Sequence, residues 1–203
     1  MRLSVLDQSP VPEGLTAGDA LRNSIDLAQL ADDLGYHRYW VAEHHGTVGL
    51  ACNSPEVLIG PIASATQRIR VGSGGIMLPH YSPYKVVESF SMLAGLYPNR
   101  IDLGIGRAAG TSPQVAKQLQ RDRRMPLPDD FLQQLDELLG LFQKPRYAKP
   151  DIYLLGSSHE SGAWAVELNL PYVFADFINP TGAAFAIPGQ AIACWAICAD
   201  TDE

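Results

Sequence analysis

An acidic residue followed by two histidines, Glu43-His44-His45, ends an aromatic and apolar stretch that begins at His37. Because imidazole exchanges protons near neutral pH, the pattern is typical of an acid–base site. Alternate strand residues face opposite ways, so one histidine can face a ligand while the other is held in the packed layer. Two structural, hydrogen-bonded histidines are an alternative. A metal site is less favoured, because adjacent strand residues diverge and no further His or Cys is spaced to complete a tetrahedral set.

A glycine-rich apolar stretch follows later in the chain, Val71-Gly72-Ser73-Gly74-Gly75-Ile76. Glycine weakens strands, so its presence in one indicates either a special backbone conformation or the close approach of a flat ligand. A β-bulge or a tight barrel corner is the structural alternative.

Arg107 and the pair Ser157-Ser158 form a third candidate constellation. The serines follow Gly156 where a predicted strand gives way to a helix, so hydroxyls and helix N–H groups would face an anion there. An arginine at the end of a neighbouring strand could add a bidentate clamp. Simple N-capping by Ser158 and a surface ion pair of Arg107 are the alternatives.

These groups all follow predicted strands in a chain that alternates short β-branched runs with segments of helical period. That alternation predicts βα units feeding a parallel sheet, whose strands end at one open mouth. The seven predicted strands are Arg2–Asp7, His37–Glu43, Ile69–Leu78, Ile101–Gly106, Asp151–Gly156, Pro171–Phe177 and Ala191–Cys198. The predicted helices are Ala20–Gly35, Pro55–Thr66, Pro83–Tyr97, Phe131–Phe142 and Ser158–Leu168.

Local signals refine this assignment. Leu21, Ile25, Leu27, Leu30 and Ala31 are predicted to form the apolar stripe of the first helix. Ser54 and Ser82 each precede a proline and are predicted to be N-caps.

Two further segments limit the predicted architecture. The segment 108–129 has low hydrophobic density and is predicted to be a surface excursion. A closed barrel of this kind has eight strands, and the link 179–190 is too short for a full helical crossover. The fold class is therefore a TIM (β/α)8-barrel-like α/β fold that is incomplete, either as a fragment or after loss of loops and a helix.

Composition limits the function. The 203 residues are 46% hydrophobic and 18% charged, which predicts one domain over 1–203. A net charge of −7 argues against nucleic-acid binding. No apolar run reaches the roughly 20 residues of a membrane span, and no leader precedes Arg2. The three cysteines favour neither disulfides nor a zinc site, so we expect a cytoplasmic protein without a metal.

Taken together, the motifs resemble the bacterial luciferase-like monooxygenase family. The resemblance covers nearly all of residues 1–110 and, with gaps, 131–178 and 190–203. Its strongest stretches are Leu3–Pro10, Gly35–His45, Arg68–His80, Arg100–Arg107 and Leu155–Ser158. It implies a TIM-barrel-like fold, reduced FMN as cosubstrate, O2 as oxidant and commonly a homodimer packed through barrel helices.

The resemblance also implies roles for individual residues. His44 matches the histidine beside the flavin ring, with Glu43 and His45 completing the motif as supports. Gly74-Gly75 matches the place of an unusual cis peptide bond against the ring. The phosphate-binding positions fall on Arg107, Ser157, Ser158 and Ser161, and Met77, His80 and Trp195 match pocket-lining positions.

We therefore predict an FMNH2- and O2-dependent monooxygenase that oxidises a small organic substrate through a flavin C4a-peroxide, with a flavin reductase as supplier of reduced flavin. A deazaflavin-dependent oxidoreductase on the same scaffold is one alternative. A flavin-binding protein without catalysis is the other, and the short chain favours it.

Overall fold

The computed structural model describes residues 2–107, 111–119, 129–185 and 191–193. The chain divides into two compact units, residues 1–152 and 153–203. The single domain expected from composition stays a prediction.

The first unit repeats the strand–helix alternation. Its elements are β1 (Ser4–Asp7), α1 (Ala17–Asp33), β2 (Arg38–Val41), α2 (Pro55–Ala65), β3 (Arg70–Met77), a 3-10 helix (Leu78–His80), α3 (Pro83–Leu96), β4 (Ile101–Gly106), α4 (Pro113–Leu119), α5 (Phe131–Phe142) and the start of β5 (Asp151–Gly156). Strands β1 to β4 pair in parallel in chain order. Their carboxyl ends therefore lie at one edge of the sheet.

The second unit continues the same pattern. Its elements after β5 are α6 (His159–Glu167), β6 (Tyr172–Ala175), a 3-10 helix (Pro180–Phe185) and β7 (Ala191–Ala193). Strand β6 pairs in parallel with both β5 and β7. The link from β6 to β7 carries, in its described part, only the 3-10 helix, as its short length predicts. The predicted end of β7, from residue 194 onward, lies outside the described residues.

Seven parallel strands with intervening helices in the described residues confirm the predicted fold class, an incomplete (β/α)8-barrel-like fold. The core follows from the sequence pattern. Strand β4 is buried along Ile101–Ile105, as expected for a parallel strand covered on both faces. Helix α5 buries Leu135 and Leu138 completely on one face.

The apolar stripe predicted for α1 is wrong in part. The buried face consists of small and polar residues, including Ala20, Ser24 and Ala28, while Leu27 and Leu30 are 43% and 53% exposed. Small side chains let the helix approach its neighbours closely, which turns the bulkier leucines outward. The hydrophobic period alone therefore placed Leu27 and Leu30 wrongly on the buried face, whereas Ala31 is buried as predicted.

Ser54 and Ser82 occupy the predicted N-cap positions, and the proline that follows each one begins the helix as predicted, but neither serine makes a side-chain hydrogen bond to its helix. Helix α1 has a full capping box, in which Thr16 accepts from the Asp19 N–H while the Asp19 carboxylate accepts from the Thr16 N–H.

A fully buried carboxylate fixes the amino ends of three strands, at the end of the sheet opposite to the carboxyl ends. Asp102, near the start of β4, accepts hydrogen bonds from Arg38 at 2.9 Å, from Arg70 at 2.6 Å and from the Trp40 indole at 2.9 Å. The charge-assisted bonds join the amino ends of β2, β3 and β4. The same three strands then present their carboxyl ends in a fixed register.

Within the described part of the chain, no helix is long and apolar enough to cross a bilayer.

Candidate functional site

Glu43 follows β2 and is fully buried at the carboxyl edge of the sheet. Its carboxylate lies 2.7 Å from Nε2 of His45 and accepts the backbone N–H of Met77 at 2.9 Å. It also has a hydrogen bond with the hydroxyl of Tyr81. One buried carboxylate thus joins the end of β2, the end of β3 and the start of the segment toward α3.

His45 is held rigidly by these contacts. Its side chain is 13% exposed, and its ring meets that of His80 edge to face, with 5.9 Å between the centroids. Its backbone carbonyl accepts a hydrogen bond from the Thr111 hydroxyl at 2.8 Å. An ionised Glu43 can only accept, so in that state Nε2 of His45 is the donor. His45 therefore has the geometry of a supporting group.

His44 differs from its neighbour. Its backbone N–H donates to the carbonyl of Cys52 at 3.0 Å, which fixes the loop, but among the described residues its buried Nδ1 has no hydrogen-bond partner. Burial lowers the pKa of His44, and the charge of Glu43 opposes this only in part. A neutral, half-buried imidazole can accept or donate a proton. The two histidines thus differ: Glu43 holds the side chain of His45, whereas the buried Nδ1 of His44 has no hydrogen-bond partner among the described residues.

The loop that carries the histidines is closed by α4, which sequence reasoning assigned to a surface excursion. Gly46 has a φ of +69°, and a Cβ there would lie 2.7 Å from a methyl carbon of Val115. Only glycine fits this left-handed turn under the helix. The low hydrophobic density of the segment hid a short helix that covers the histidine loop.

The glycine-rich strand β3 has both an irregular pairing with its neighbour and a special backbone conformation, the two alternatives that its sequence allows. Its pairing with β4 shifts register between Ser73 and Ile76, and the peptide bond between Gly74 and Gly75 is cis, as the resemblance implies. A Cβ on Gly75 would lie 2.7 Å from the carbonyl oxygen of Gly104. The backbones approach so closely that no side chain fits there.

Arg107 follows the last residue of β4 and is exposed. Its neighbour Gly106 pairs with Met77, the residue whose N–H binds Glu43. In the first unit, therefore, Glu43, His44, His45, Gly74, Gly75 and Arg107 all belong to the carboxyl ends of three adjacent strands.

The predicted serines belong to the second unit. Ser158 is the N-cap of α6, and its hydroxyl accepts the Ser161 N–H at 3.2 Å. The Ser161 hydroxyl is buried and lies 2.8 Å from the Tyr172 hydroxyl and 2.9 Å from the Ser158 carbonyl. Ser157 accepts from the Asn179 amide at 2.8 Å through its carbonyl. The capping alternative for Ser158 is thus present in the structure, and the Ser161 hydroxyl is already occupied.

Sequence reasoning missed Tyr81 and Thr111. They lie 38 and 68 positions from Glu43 along the chain and carry no motif of their own. Trp195 lies outside the described residues.

No group of three or more metal-ligating side chains occurs in the ranges that the structure describes.

A family model described as luciferase-like monooxygenase matches residues 1–191. The protein YwcH of Bacillus subtilis is 46% identical over an alignment that covers 99% of this chain and 69% of YwcH. An N-acetyl-S-alkylcysteine monooxygenase of the same organism is 45% identical, over 88% of this chain and 58% of its own length. The YwcH alignment runs over 231 positions, more than the 203 residues of this chain, so YwcH has residues inside the matched span that this chain lacks.

Three solved structures share the fold. The crystal structure of apo-MsnO8 has a TM-score of 0.82 and 45% identity, and the match covers 93% of this chain and 62% of that protein. The oxygenating constituent of 3,6-diketocamphane monooxygenase from Pseudomonas putida, in complex with FMN, has a TM-score of 0.72, 22% identity and coverages of 86% and 58%. An F420-dependent secondary alcohol dehydrogenase follows with a TM-score of 0.60, 17% identity and the same coverages.

The last two likenesses concern the fold alone, whereas the family model and the relatives extend over most of the chain. The chain belongs to the luciferase-like monooxygenase family.

Proposed function

We propose that this chain is the flavin-binding part of a monooxygenase that uses reduced FMN and O2 to oxidise a small organic substrate. The balanced reaction is substrate, O2 and FMNH2 giving the oxygenated substrate, water and FMN. The observation that carries the proposal is the buried Glu43–His45 pair, next in the chain to His44, whose buried Nδ1 has no partner among the described residues, at the same end of the sheet as the cis Gly74–Gly75 bond.

In this proposal the flat ring of the flavin binds at this edge. The backbone at Gly74 and Gly75 carries no side chains, and His44 offers a polar atom that the protein itself leaves without a partner. The reduced flavin would supply the two electrons that activate O2. In this proposal His44 holds or moves a proton beside the ring, while Glu43 fixes His45 and with it the loop.

Arg107 supplies a local cation in a chain of net charge −7, and it is our proposed phosphate ligand. In the second unit, Ser157, Ser158 and Ser161 are proposed phosphate-binding positions at the start of α6, where the positive end of the helix dipole favours an anion. The occupied hydroxyl of Ser161 favours a supporting role for that residue, with Ser158 nearer the phosphate.

FMN is our proposed cofactor, and deazaflavin is the alternative. The fold is shared with an FMN complex and with an F420-dependent dehydrogenase, so fold alone does not choose between them. A flavin reductase is the proposed source of FMNH2. We also propose a homodimer, since Val57, Met92 and Leu96 on α2 and α3 are each more than two-thirds exposed.

The experiment is to titrate the full chain with FMN and with F420, and then to supply FMNH2 under ¹⁸O2 with an N-acetyl-S-alkylcysteine. That substrate is tried first because a relative 45% identical bears its name. Binding of FMN with one ¹⁸O atom in the product is expected. Binding of F420 alone, or of neither cofactor, would reject the proposal.

Flavin binding without turnover is the second candidate. The chain spans 58% to 69% of the two relatives, and this candidate is favoured by the residues inside the matched span that YwcH has and this chain lacks. Tight FMN binding with no labelled product from a panel of thioethers, aldehydes and sulfonates would select it.

A further inference from the structure

A buried polar group lies at the carboxyl end of β1, and the chemistry proposed above gives it no part. The carboxylate of Asp7 accepts the backbone N–H of Ser9 at 2.7 Å and, through its other oxygen, the hydroxyl of Tyr39 at 2.7 Å. The hydroxyl of Ser9 lies 2.8 Å from that of Ser24 on α1. All four residues are buried. The group therefore joins β1, β2 and α1 inside the first unit.

Ser9 is the residue at which this group acts on the backbone. Its φ is +50°, in the left-handed region that a residue other than glycine rarely adopts. An aspartate that accepts the N–H two residues further along the chain stabilises a turn, and Asp7 does this for Ser9. Asp7 thereby fixes the direction in which the chain leaves β1.

The chain that leaves β1 pairs with the last part of the histidine loop, which we call the return segment, residues 49–52. The carbonyl of Ser9 accepts the N–H of Ala51 at 2.9 Å, and the N–H of Val11 donates to the carbonyl of Gly49 at 2.9 Å. An antiparallel bridge lies between these two bonds. The turn at Ser9 therefore determines where the return segment lies.

The return segment in turn holds His44. Cys52, the residue after Ala51, accepts the N–H of His44 on its carbonyl at 3.0 Å. A second route is shorter, because the carbonyl of Asp7 itself accepts the N–H of Ala42 at 2.9 Å. The backbone on both sides of His44 is thus linked to Asp7 by hydrogen bonds of ordinary length.

We propose that Asp7 is a positioning residue, which holds the backbone of His44 in place through the turn at Ser9 and the return segment. The catalytic value of this role rests on the proposed function, because that function gives His44 its task. The positioning itself is a property of the ligand-free protein. If Asp7 served only the stability of β1, its loss would have no selective effect at His44.

The test is amide hydrogen exchange, followed by NMR, of the ligand-free full chain in wild type and in Asp7→Ala. The variant removes both carboxylate acceptors. The exchange rate of the His44 amide is divided by that of Leu138, a fully buried residue of α5, so that a general loss of stability cancels. Asp7→Ala should raise this ratio by about 10-fold or more, the scale of a lost buried hydrogen bond. An unchanged ratio overturns the proposal.

Two further variants separate positioning from general stability. Asp7→Asn keeps an acceptor oxygen for the Ser9 N–H, and its amide can donate to the Tyr39 oxygen, so it should restore most of the protection. Asp32→Asn is the matched control, because Asp32 is also a buried carboxylate that accepts backbone N–H groups, at the start of β3. It should leave the ratio unchanged. An equal rise in Asp32→Asn overturns the proposal.

If Asp7→Ala does not fold, Asp7→Ser replaces it. A serine hydroxyl makes the same turn more weakly, so the ratio should rise by about 3-fold. An unchanged ratio in Asp7→Ser has the same negative meaning.

The outcome is distinguishable from that of the proposed function. If Asp7→Ala raises the exchange ratio but wild type does not bind FMN, the proposed function fails and the positioning of His44 stands. If wild type oxygenates substrate, Asp7→Ala should lower kcat by about 10-fold or more while the FMN affinity and the KM for substrate stay unchanged, and Asp7→Asn should restore kcat. An unchanged kcat in Asp7→Ala would overturn the catalytic part of the proposal.

Discussion

The carboxylate of Glu43 and the backbone N–H of Met77 are joined by a 2.9 Å hydrogen bond, although 34 positions separate the two residues in the chain. The bond crosses from the end of β2 to the end of β3. Together with the 2.7 Å contact to His45, it makes one side chain responsible for the geometry of two strand ends. Glu43 is therefore a buried residue that fixes the positions of the two strand ends relative to each other.

Replacing Glu43 with glutamine tests this role. The amide has one acceptor oxygen in place of two, so either the Met77 N–H or the His45 Nε2–H loses its partner. We expect the free energy of unfolding to fall by about 1 to 3 kcal/mol, the cost of an unsatisfied buried group, measured by urea denaturation. Glu13→Gln, at an exposed position, is the control and should change it little. Equal stability of the two variants would contradict the account.

His44 has a different expected phenotype, because it holds no other residue through its side chain in the described structure. His44→Ala should bind FMN nearly as well as wild type but lower the rate of substrate oxygenation by roughly 10²-fold or more, as loss of a positioned acid–base group does. Fluorescence titration gives the affinity, and labelled-product formation gives the rate.

His37→Ala is the matched control, since His37 immediately precedes β2 at its other end. It should not change the rate. Full activity in His44→Ala would exclude His44 as a catalytic residue.

Much of the fold could be predicted from local pattern. The bounds of β4, β5 and α5 were predicted without error, because each is a dense apolar run between polar or glycine-containing ends. The first helix was also found, but its buried face was not, since Leu27 and Leu30 outrank Ala28 on any hydrophobicity scale while only the smaller residue fits the contact.

The site was predictable as far as its motifs were contiguous. Glu43-His44-His45 and Gly74-Gly75 each stand out as short patterns. The contacts of Tyr81 and Thr111 with this loop depend on pairing between strands and on α4, and neither leaves a signal in one sequence. Helix α4 was missed for a related reason: seven residues with one buried side chain, Ala116, give no hydrophobic period.

Arg107 allows a prediction that distinguishes binding of the FMN phosphate group from binding of the flavin ring. If it binds the phosphate, Arg107→Ala should weaken FMN binding by about 1.5 to 3 kcal/mol, the scale of a hydrogen bond to a charged group. Riboflavin has the same ring without the phosphate, so its affinity should not change. Isothermal titration calorimetry with both ligands measures the difference.

Arg22→Ala removes an equal charge from the surface, where Arg22 pairs with Asp19, and serves as the control. An equal loss of riboflavin and FMN affinity in Arg107→Ala would mean that Arg107 contacts the ring or stabilises the fold, and that it does not bind the phosphate.

The buried carboxylate of Asp32 predicts an acid dependence of stability. It accepts the backbone N–H groups of Gln67 at 2.7 Å, Arg68 at 3.2 Å and Ile69 at 2.9 Å, which ties the end of α1 to the start of β3. Burial acts to raise the pKa of Asp32, but the three backbone hydrogen bonds and the charge of Arg68 together lower it. A carboxyl whose pKa is lower in the folded than in the unfolded state stabilises the fold above the unfolded value of 3.8. That stabilisation disappears as the pH falls through the folded pKa.

Asp32→Asn removes the charge and one acceptor oxygen. At pH 7 it should lower the free energy of unfolding by about 1 to 3 kcal/mol, and the difference from wild type should shrink as the pH is lowered below about 4. Urea denaturation at a series of pH values measures both. Asp26→Asn, at an exposed position of the same helix, should show neither effect. A difference between Asp32→Asn and wild type that stays constant with pH would mean that the loss comes from altered packing, because only the ionised carboxylate makes the stabilisation depend on pH.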